Sequence, residues 1–84
     1  MKTTFKHIRF EIFTEGEKTS TWVCLSNKSN DDLGTVKWYG GWGQYVFYPE
    51  RETLFSGGCL NNIANFMKDL RAWEKSKMKP KKGN

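Results

Sequence analysis

The spacing of apolar residues changes once along this chain of 84 residues. Within residues 4–14, Ile8, Phe10 and Ile12 alternate with polar residues, and a period of two predicts a half-buried strand. From residue 59 onward the apolar residues recur every three or four positions, as on one face of an amphipathic helix. A chain with this order of periods is predicted to form a sheet followed by a helix. The helical stripe consists of Cys59, Leu60, Ile63, Phe66, Met67, Leu70 and Trp73.

Turn residues divide the first part of the chain into short strands. Three glycines within residues 40–43 predict a hairpin, and Pro49 is expected to end the strand that follows it. Ser56 is a candidate N-cap for a helix that runs to about residue 77. The predicted fold class is α+β, an antiparallel meander of four to five strands with one C-terminal amphipathic helix packed on one sheet face. The predicted strands cover residues 4–14, 19–26, 33–39 and 44–48, with a short fifth segment at 53–55.

The net charge of +5 comes from the C-terminus. Five of the 14 basic residues lie in the last ten positions, which leaves nine basic and nine acidic groups in residues 1–74. The chain is therefore predicted to be a single neutral α+β domain over residues 1–74 with a basic tail over residues 75–84. The basic residues of the tail are Lys75, Lys77, Lys79, Lys81 and Lys82.

Several classes of protein are excluded by composition. Apolar runs are too short for a membrane span, and the N-terminus lacks the apolar core of a signal peptide, so we expect a cytosolic protein with no membrane partner. Cys24 and Cys59 are then expected to be reduced thiols. One histidine and two distant cysteines are too few for a structural zinc site, and no glycine-rich phosphate loop precedes a helix. The sequence predicts neither a metal nor a cofactor.

Aromatic residues are concentrated around the predicted hairpin. Six of the 13 aromatic side chains lie within residues 38–48. Alternation assigns Trp38, Phe47 and one of Tyr45 and Tyr48 to the core. Trp42 lies within the glycine turn, where it either projects as the anchor of a binding site or folds back over the sheet edge. The candidate protein-binding residues are Trp42, Tyr39, Gly41 and Tyr45.

A cysteine nucleophile is the strongest enzymatic alternative. Cys59 follows two glycines at the predicted helix start, where first-turn N–H groups favour a thiolate. The same residue lies on the apolar stripe, however, and buried cysteines are ordinary core residues. No third group orients His7 toward it. We therefore expect no enzymatic activity and no catalytic residues.

A second group of residues suggests nucleic acid as an alternative partner. In this alternative the tail lysines hold phosphates while Arg9 and Lys37 contact bases from the sheet face. The tail also fits a solubilising terminus. The sheet face that the helix leaves uncovered, or an open edge strand, could instead pair with a second copy in a homodimer.

A longer pattern resembles a family of small uncharacterised proteins of phages and mobile elements. The matching residues run from Leu33 through Lys37-Trp38-Tyr39, Trp42 and Pro49 to the helix that starts at Cys59-Leu60. In that family an LG-x-[IV]-KWY-x-x-W-x-x-Y-x-F-x-P segment precedes CL-x-x-I-x-x-F, and the likeness covers about residues 22–70. The family carries no known activity. The order of strands and helix also resembles the arm-type DNA-binding domains of phage integrases, at the level of fold alone.

The resemblance implies a phage- or element-encoded accessory protein that acts inside a bacterium. Joined to the aromatic hairpin and the absence of a catalytic constellation, it predicts a non-enzymatic protein that binds a host or phage protein. Such a protein would inhibit a host defence or modulate host machinery. Nucleic-acid binding through the sheet face and the lysine tail remains the alternative.

Overall fold

The structure, a computed structural model, describes residues 1–78 and the side chains of residues 1–76. It confirms the predicted α+β class, with four antiparallel strands in the order β1-β2-β3-β4 and one C-terminal helix. Each strand pairs with its neighbour in sequence, so the sheet is a meander. The elements are β1 (Ile8–Glu15), β2 (Ser20–Ser26), β3 (Asp32–Tyr39), β4 (Gln44–Pro49) and α1 (Gly57–Met78).

The first strand is shorter than the alternation predicts. It begins at Ile8, because the preceding residues form a turn in which Phe5 N donates to Ile8 O at 2.8 Å. The chain before that turn runs back along β1, where Phe10 N donates to Thr3 O at 2.8 Å. Residues 53–55 form no strand, so the sheet has four strands among the described residues.

The helix begins and continues as its sequence indicates. Ser56 is the N-cap, since its Oγ accepts a hydrogen bond from Cys59 N at 3.1 Å and its carbonyl accepts one from Leu60 N at 2.9 Å. The helix continues to Met78, so the division expected at residue 74 falls inside α1. The separation of a body from a tail stays a prediction, and Lys79, Lys81 and Lys82 lie outside the described residues.

The core lies between α1 and one face of the sheet. Phe66 of α1 stacks on Phe10 of β1, with ring centroids 3.9 Å apart, and meets Trp22 of β2 edge-on at 5.3 Å. The register places alternate residues of every strand on this face. The opposite face, which we call the open face, is not covered by the helix. The core side chains are Ile8, Phe10, Trp22, Cys24, Val36, Tyr45, Ile63, Phe66 and Leu70.

Candidate functional site

A four-residue loop, residues 40–43, joins β3 to β4 and carries Trp42, the candidate anchor of a binding site. Trp42 N and Gly43 N donate hydrogen bonds to Tyr39 O at 3.1 and 2.9 Å, which closes the loop. Gly43 has φ of +65°, a left-handed conformation that glycine adopts without steric cost. The loop therefore fixes Trp42 at the tip of the hairpin.

Trp42 is exposed, which decides between the two arrangements that the sequence left open. Its side chain is 68% exposed and meets Tyr39 edge-on, with ring centroids 5.1 Å apart. Gly41 lies against the same tyrosine, because a Cβ at this position would come within 2.9 Å of the Tyr39 ring. Tyr39, Gly41 and Trp42 thus form one packed unit at the surface, and their role in binding stays a prediction.

Two further residues extend this unit along the open face. Tyr39, Val46 and Tyr48 lie on this face by strand register. Together with Trp42 they line a shallow groove of about 320 Å³. We call these four residues the aromatic surface. Lys37 lies beside it, with Nζ 5.4 Å from the centroid of the Tyr48 ring, a cation–π arrangement.

Tyr45, the fourth residue of the predicted binding set, lies on the other side of the sheet. Its side chain is 7% exposed and packs edge-on against Trp38, with ring centroids 5.3 Å apart. The alternation in β4 accounts for this position, because Tyr45 and Phe47 face the helix while Val46 and Tyr48 face away. Tyr45 therefore does not contribute to the aromatic surface, and Tyr48 takes the exposed position.

The hydroxyl of Tyr45 belongs to a buried polar cluster. It donates to Glu74 Oε1 and accepts a hydrogen bond from Ser20 N at 3.0 Å. Ser20 Oγ donates to Glu74 Oε2 at 2.7 Å and accepts from Trp22 Nε1 at 2.8 Å. Burial, and next the hydrogen bond to Glu74, raise the pKa of Tyr45 above its usual range. The cluster links β4, β2 and α1 at one end of the sheet.

The basic residues proposed for nucleic-acid contact lie apart from one another. Arg9 is held by its neighbours, because its guanidinium donates to Glu11 at 2.9 Å and to Asn30 Oδ1 at 2.8 Å. Lys37 lies beside the aromatic surface, and Lys75 lies on α1. The side chains of Lys77, Lys79, Lys81 and Lys82 lie outside the part of the chain that the structure describes.

A basic groove that was not predicted from the sequence lies between β4 and α1. Its volume is about 450 Å³, and Lys68, Arg71 and Lys75 line it from the helix. The spacing of three and four residues puts these side chains on one helix face, and this spacing is the signal that could have identified them. Lys68 and Arg71 lie outside the apolar stripe predicted for the helix, and Lys75 belongs to the predicted basic tail.

The two cysteines occupy different environments. Cys24 is fully buried, and burial, followed by the charges of Cys59 and Asp32, raises its pKa to about 12. Cys59 is half-buried and packs against the core. Both are free thiols. Within residues 1–78 no three histidine, cysteine or acidic residues are grouped so that they could hold a metal ion.

Helix α1 is the element to consider for a membrane span. Its apolar residues are interrupted by charged and amide side chains along its whole length. Over residues 1–78 no helix combines the length and the apolar character needed to cross a bilayer.

Sequence comparison relates the chain to a phage protein. It is 31% identical to the uncharacterized 9.3 kDa protein of Acholeplasma phage L2 over 55 residues, which are 66% of this chain and 70% of the phage protein. No family model matches the chain. No solved structure matches it. The resemblance to small uncharacterised phage proteins is thus confirmed.

Proposed function

Because the chain belongs to the family of the uncharacterized 9.3 kDa protein of Acholeplasma phage L2, we propose that it is a small accessory protein of a phage or mobile element. It acts in the cytosol of a bacterial host by binding a host or phage protein. Binding inhibits a host defence or modulates host machinery. The LG-x-[IV]-KWY pattern and the CL-x-x-I-x-x-F helix are the sequence signature of this family.

The exposure of Trp42 beside Tyr39 and Tyr48 is the observation that carries this proposal. Trp42 is 68% exposed, and the two tyrosines are each 42% exposed. Tryptophan and tyrosine are enriched among residues that dominate binding energy, because their large rings bury much area for few rotatable bonds. An aromatic groove exposed on a small chain marks an interaction surface.

The geometry of the turn supports a preformed site. Trp42 is held by the loop hydrogen bonds to Tyr39 O and by ring contact with Tyr39. Tyr48 projects from β4, a strand that pairs along its length with β3. A surface held in this way loses little conformational freedom on binding, which favours affinity.

Binding without catalysis is the form of action that we propose. A nucleophilic cysteine needs a thiolate, and burial raises the pKa of Cys24 to about 12, so its thiol stays protonated at neutral pH. Cys59 packs against the core from the start of α1. Exchange of Cys59 for serine is accordingly expected to leave partner binding unchanged.

A capture experiment with a matched aromatic control tests the proposal. Tagged wild-type protein, Trp42→Ala and Phe13→Ala are each incubated with lysate of a bacterial host, and the captured proteins are identified by mass spectrometry. Phe13 is the control because its ring is 76% exposed but lies on β1, at the other edge of the sheet. Far-ultraviolet circular dichroism checks that each variant is folded.

We expect wild type and Phe13→Ala to capture the same partner in similar amounts. Trp42→Ala should capture at least tenfold less of it. Removing a central aromatic anchor commonly weakens an interface by about 2 kcal/mol or more. Identical partner lists for all three proteins would contradict the assignment of the aromatic surface as the binding site.

A further inference from the structure

The basic groove lies between an edge strand and a helix, on a different side of the sheet from the aromatic surface. Gln44 and Tyr45 line it from β4, and Met67 and Ala72 contribute apolar surface from α1. The groove of about 450 Å³ meets β4 at the first two residues of the strand and is open to solvent. Its dimensions suit a few residues of an extended chain rather than a single small ion.

Strand β4 supplies a backbone edge to this groove. It pairs with β3 on one side, and within residues 1–78 no strand pairs with its other side. The unpaired N–H and C=O groups of an edge strand are a template for a further strand. Recognition domains use this arrangement when a peptide adds to a sheet edge beside a helix.

The helix wall of the groove is positively charged. Lys68, Arg71 and Lys75 line it, and none of the residues that line it within the described chain is acidic. The Arg71 guanidinium lies 4.7 Å from the centroid of the Trp38 ring, so its position is fixed by a cation–π contact. The buried carboxylate of Glu74 engages Tyr45 and Ser20 with its two oxygens.

We propose that the basic groove binds an extended acidic segment of a partner protein, which adds to β4 as a fifth strand. Backbone hydrogen bonds to β4 would supply affinity, and carboxylates on alternate residues would meet Lys68, Arg71 and Lys75. This site is separate from the aromatic surface, and the proposal does not depend on the function proposed for that surface.

Two other occupants fit the groove less well. A second copy of this chain would pair β4 with β4 about a twofold axis and bring two rows of cations to the same seam, which like-charge repulsion opposes. A nucleic acid would satisfy the cations but has no ladder of donors and acceptors to match the edge of β4. An acidic peptide strand satisfies both the charges and the backbone edge.

A titration with defined peptides tests the proposal on the full chain. The probe is a ten-residue peptide of alternating Glu and Val with blocked ends. Its binding is monitored through the amide chemical shifts of the ¹⁵N-labelled protein. Three comparison ligands are the same peptide with Lys in place of Glu, the Glu-Val peptide N-methylated at alternate residues, and a twenty-nucleotide oligothymidylate. N-methylation removes backbone donors and keeps the charge.

We expect the Glu-Val peptide to bind with shifts in residues 44–49 and 68–75, and the Lys-Val and N-methylated peptides to bind at least tenfold more weakly. The double variant Lys68→Gln with Lys75→Gln should lose about tenfold in affinity, since two partly exposed ion pairs together are worth about 1.4 kcal/mol. Lys6→Gln with Lys28→Gln, which changes the net charge equally at exposed positions elsewhere, should bind as wild type.

Absence of peptide binding, or equal binding of the N-methylated peptide, would overturn the proposal. Oligothymidylate binding with the same shifts and higher affinity than the peptide would overturn it in favour of nucleic acid. Trp42→Ala should bind the peptide as wild type does. Failure at this groove is thus distinguishable from failure at the aromatic surface.

Discussion

At the scale of single residues, Tyr45 joins three elements through one hydroxyl. This group accepts from Ser20 N of β2 and donates to Glu74 of α1. Tyr45→Phe removes it and leaves a buried N–H and a buried carboxylate oxygen each without that partner. We expect the free energy of unfolding to fall by about 1–3 kcal/mol, the cost of unsatisfied buried polar groups, in urea denaturation.

Tyr48→Phe is the matched control for this experiment. Tyr48 is on the same strand but lies on the open face and is 42% exposed. Removal of the Tyr48 hydroxyl should change the free energy of unfolding by less than about 0.5 kcal/mol, as most surface substitutions do. Equal effects of the two substitutions would mean that the buried polar cluster adds nothing to stability.

The same hydroxyl makes the free energy of unfolding depend on pH in the alkaline range. Burial raises the pKa of Tyr45 in the folded state, and the hydrogen bond to Glu74 raises it further. The folded protein therefore holds this proton more tightly than the unfolded chain does, whose tyrosines titrate near pH 10. The resulting stabilisation is complete below about pH 10 and is lost as the pH rises through the folded-state pKa.

We expect unfolding free energies measured between pH 8 and 11.5 to decrease above about pH 10 in the wild type. The decrease should be smaller in Tyr45→Phe, which has no proton to lose at this position. Parallel curves for the two proteins would contradict the assignment, because the other titrating groups are common to both.

Glu74 shows why the buried polar cluster could not be predicted from the sequence. A charged residue in an amphipathic helix is normally assigned to the solvated side. Glu74 nevertheless follows Phe66 and Leu70 by eight and four positions, on the buried line of the helix, and is 5% exposed. Only the partners on β2 and β4 make this burial favourable, and their proximity is a property of the tertiary fold.

At the scale of elements, the pairing of β3 with β4 depends on the absence of a side chain at Gly34. A Cβ at this position would lie 2.4 Å from Phe47 Cζ and 2.7 Å from the carbonyl oxygen of Tyr48. The Phe47 ring packs against the core and against Phe55, which limits its movement, and the carbonyl belongs to the paired strand. Gly34→Ala should therefore lower the free energy of unfolding by about 2–3 kcal/mol, as overpacking does.

Gly40→Ala is the control for a glycine in the adjoining loop. No atom lies within 4 Å of a Cβ built at Gly40, and its φ is not positive. This substitution should leave stability unchanged or raise it by up to about 1 kcal/mol, because alanine restricts the unfolded chain. Thermal and urea denaturation of the two variants, measured side by side, check both expectations. Equal stability of Gly34→Ala and wild type would contradict the close approach of β3 and β4.

The order and direction of the elements could be predicted because apolar period and turn residues are local signals. Ser56 and the aromatic hairpin were identified in this way. The irregularities could not be predicted, because they arise between strands. The register shifts between Ile12 and Thr14, and Ile12, which alternation assigns to the core, is 46% exposed just before this bulge.

At the scale of the whole molecule, two different surfaces meet at strand β4. The aromatic surface lies on the open face, and the basic groove lies between the edge of β4 and α1. Tyr45 lines the basic groove from the core side of the strand, whereas Tyr48 belongs to the aromatic surface. A partner protein that adds a strand to β4 would therefore extend the sheet beside both surfaces, and rings and cations would contact different parts of it.

The two edges of the sheet also determine whether the molecule pairs with itself. On the β1 side, Thr4 bridges to Arg9 and Thr3 O accepts from Phe10 N, so the chain before β1 covers the start of this edge. The bulge beyond Ile12 interrupts the rest of it. On the β4 side, self-pairing would bring together two rows of Lys68, Arg71 and Lys75. Both edges are thus protected against addition of a second copy.

We therefore expect a monomer, although the uncovered open face alone would permit a homodimer. Multi-angle light scattering at about 0.15 M salt should give a molar mass near 9.8 kDa that does not rise with protein concentration. Lys68→Gln with Lys75→Gln weakens the repulsion at the β4 edge, so this variant should associate at lower concentration than wild type. If both the wild type and Trp42→Ala gave twice this mass, the dimer contact would lie outside the aromatic surface. That result would contradict the protection of the edges.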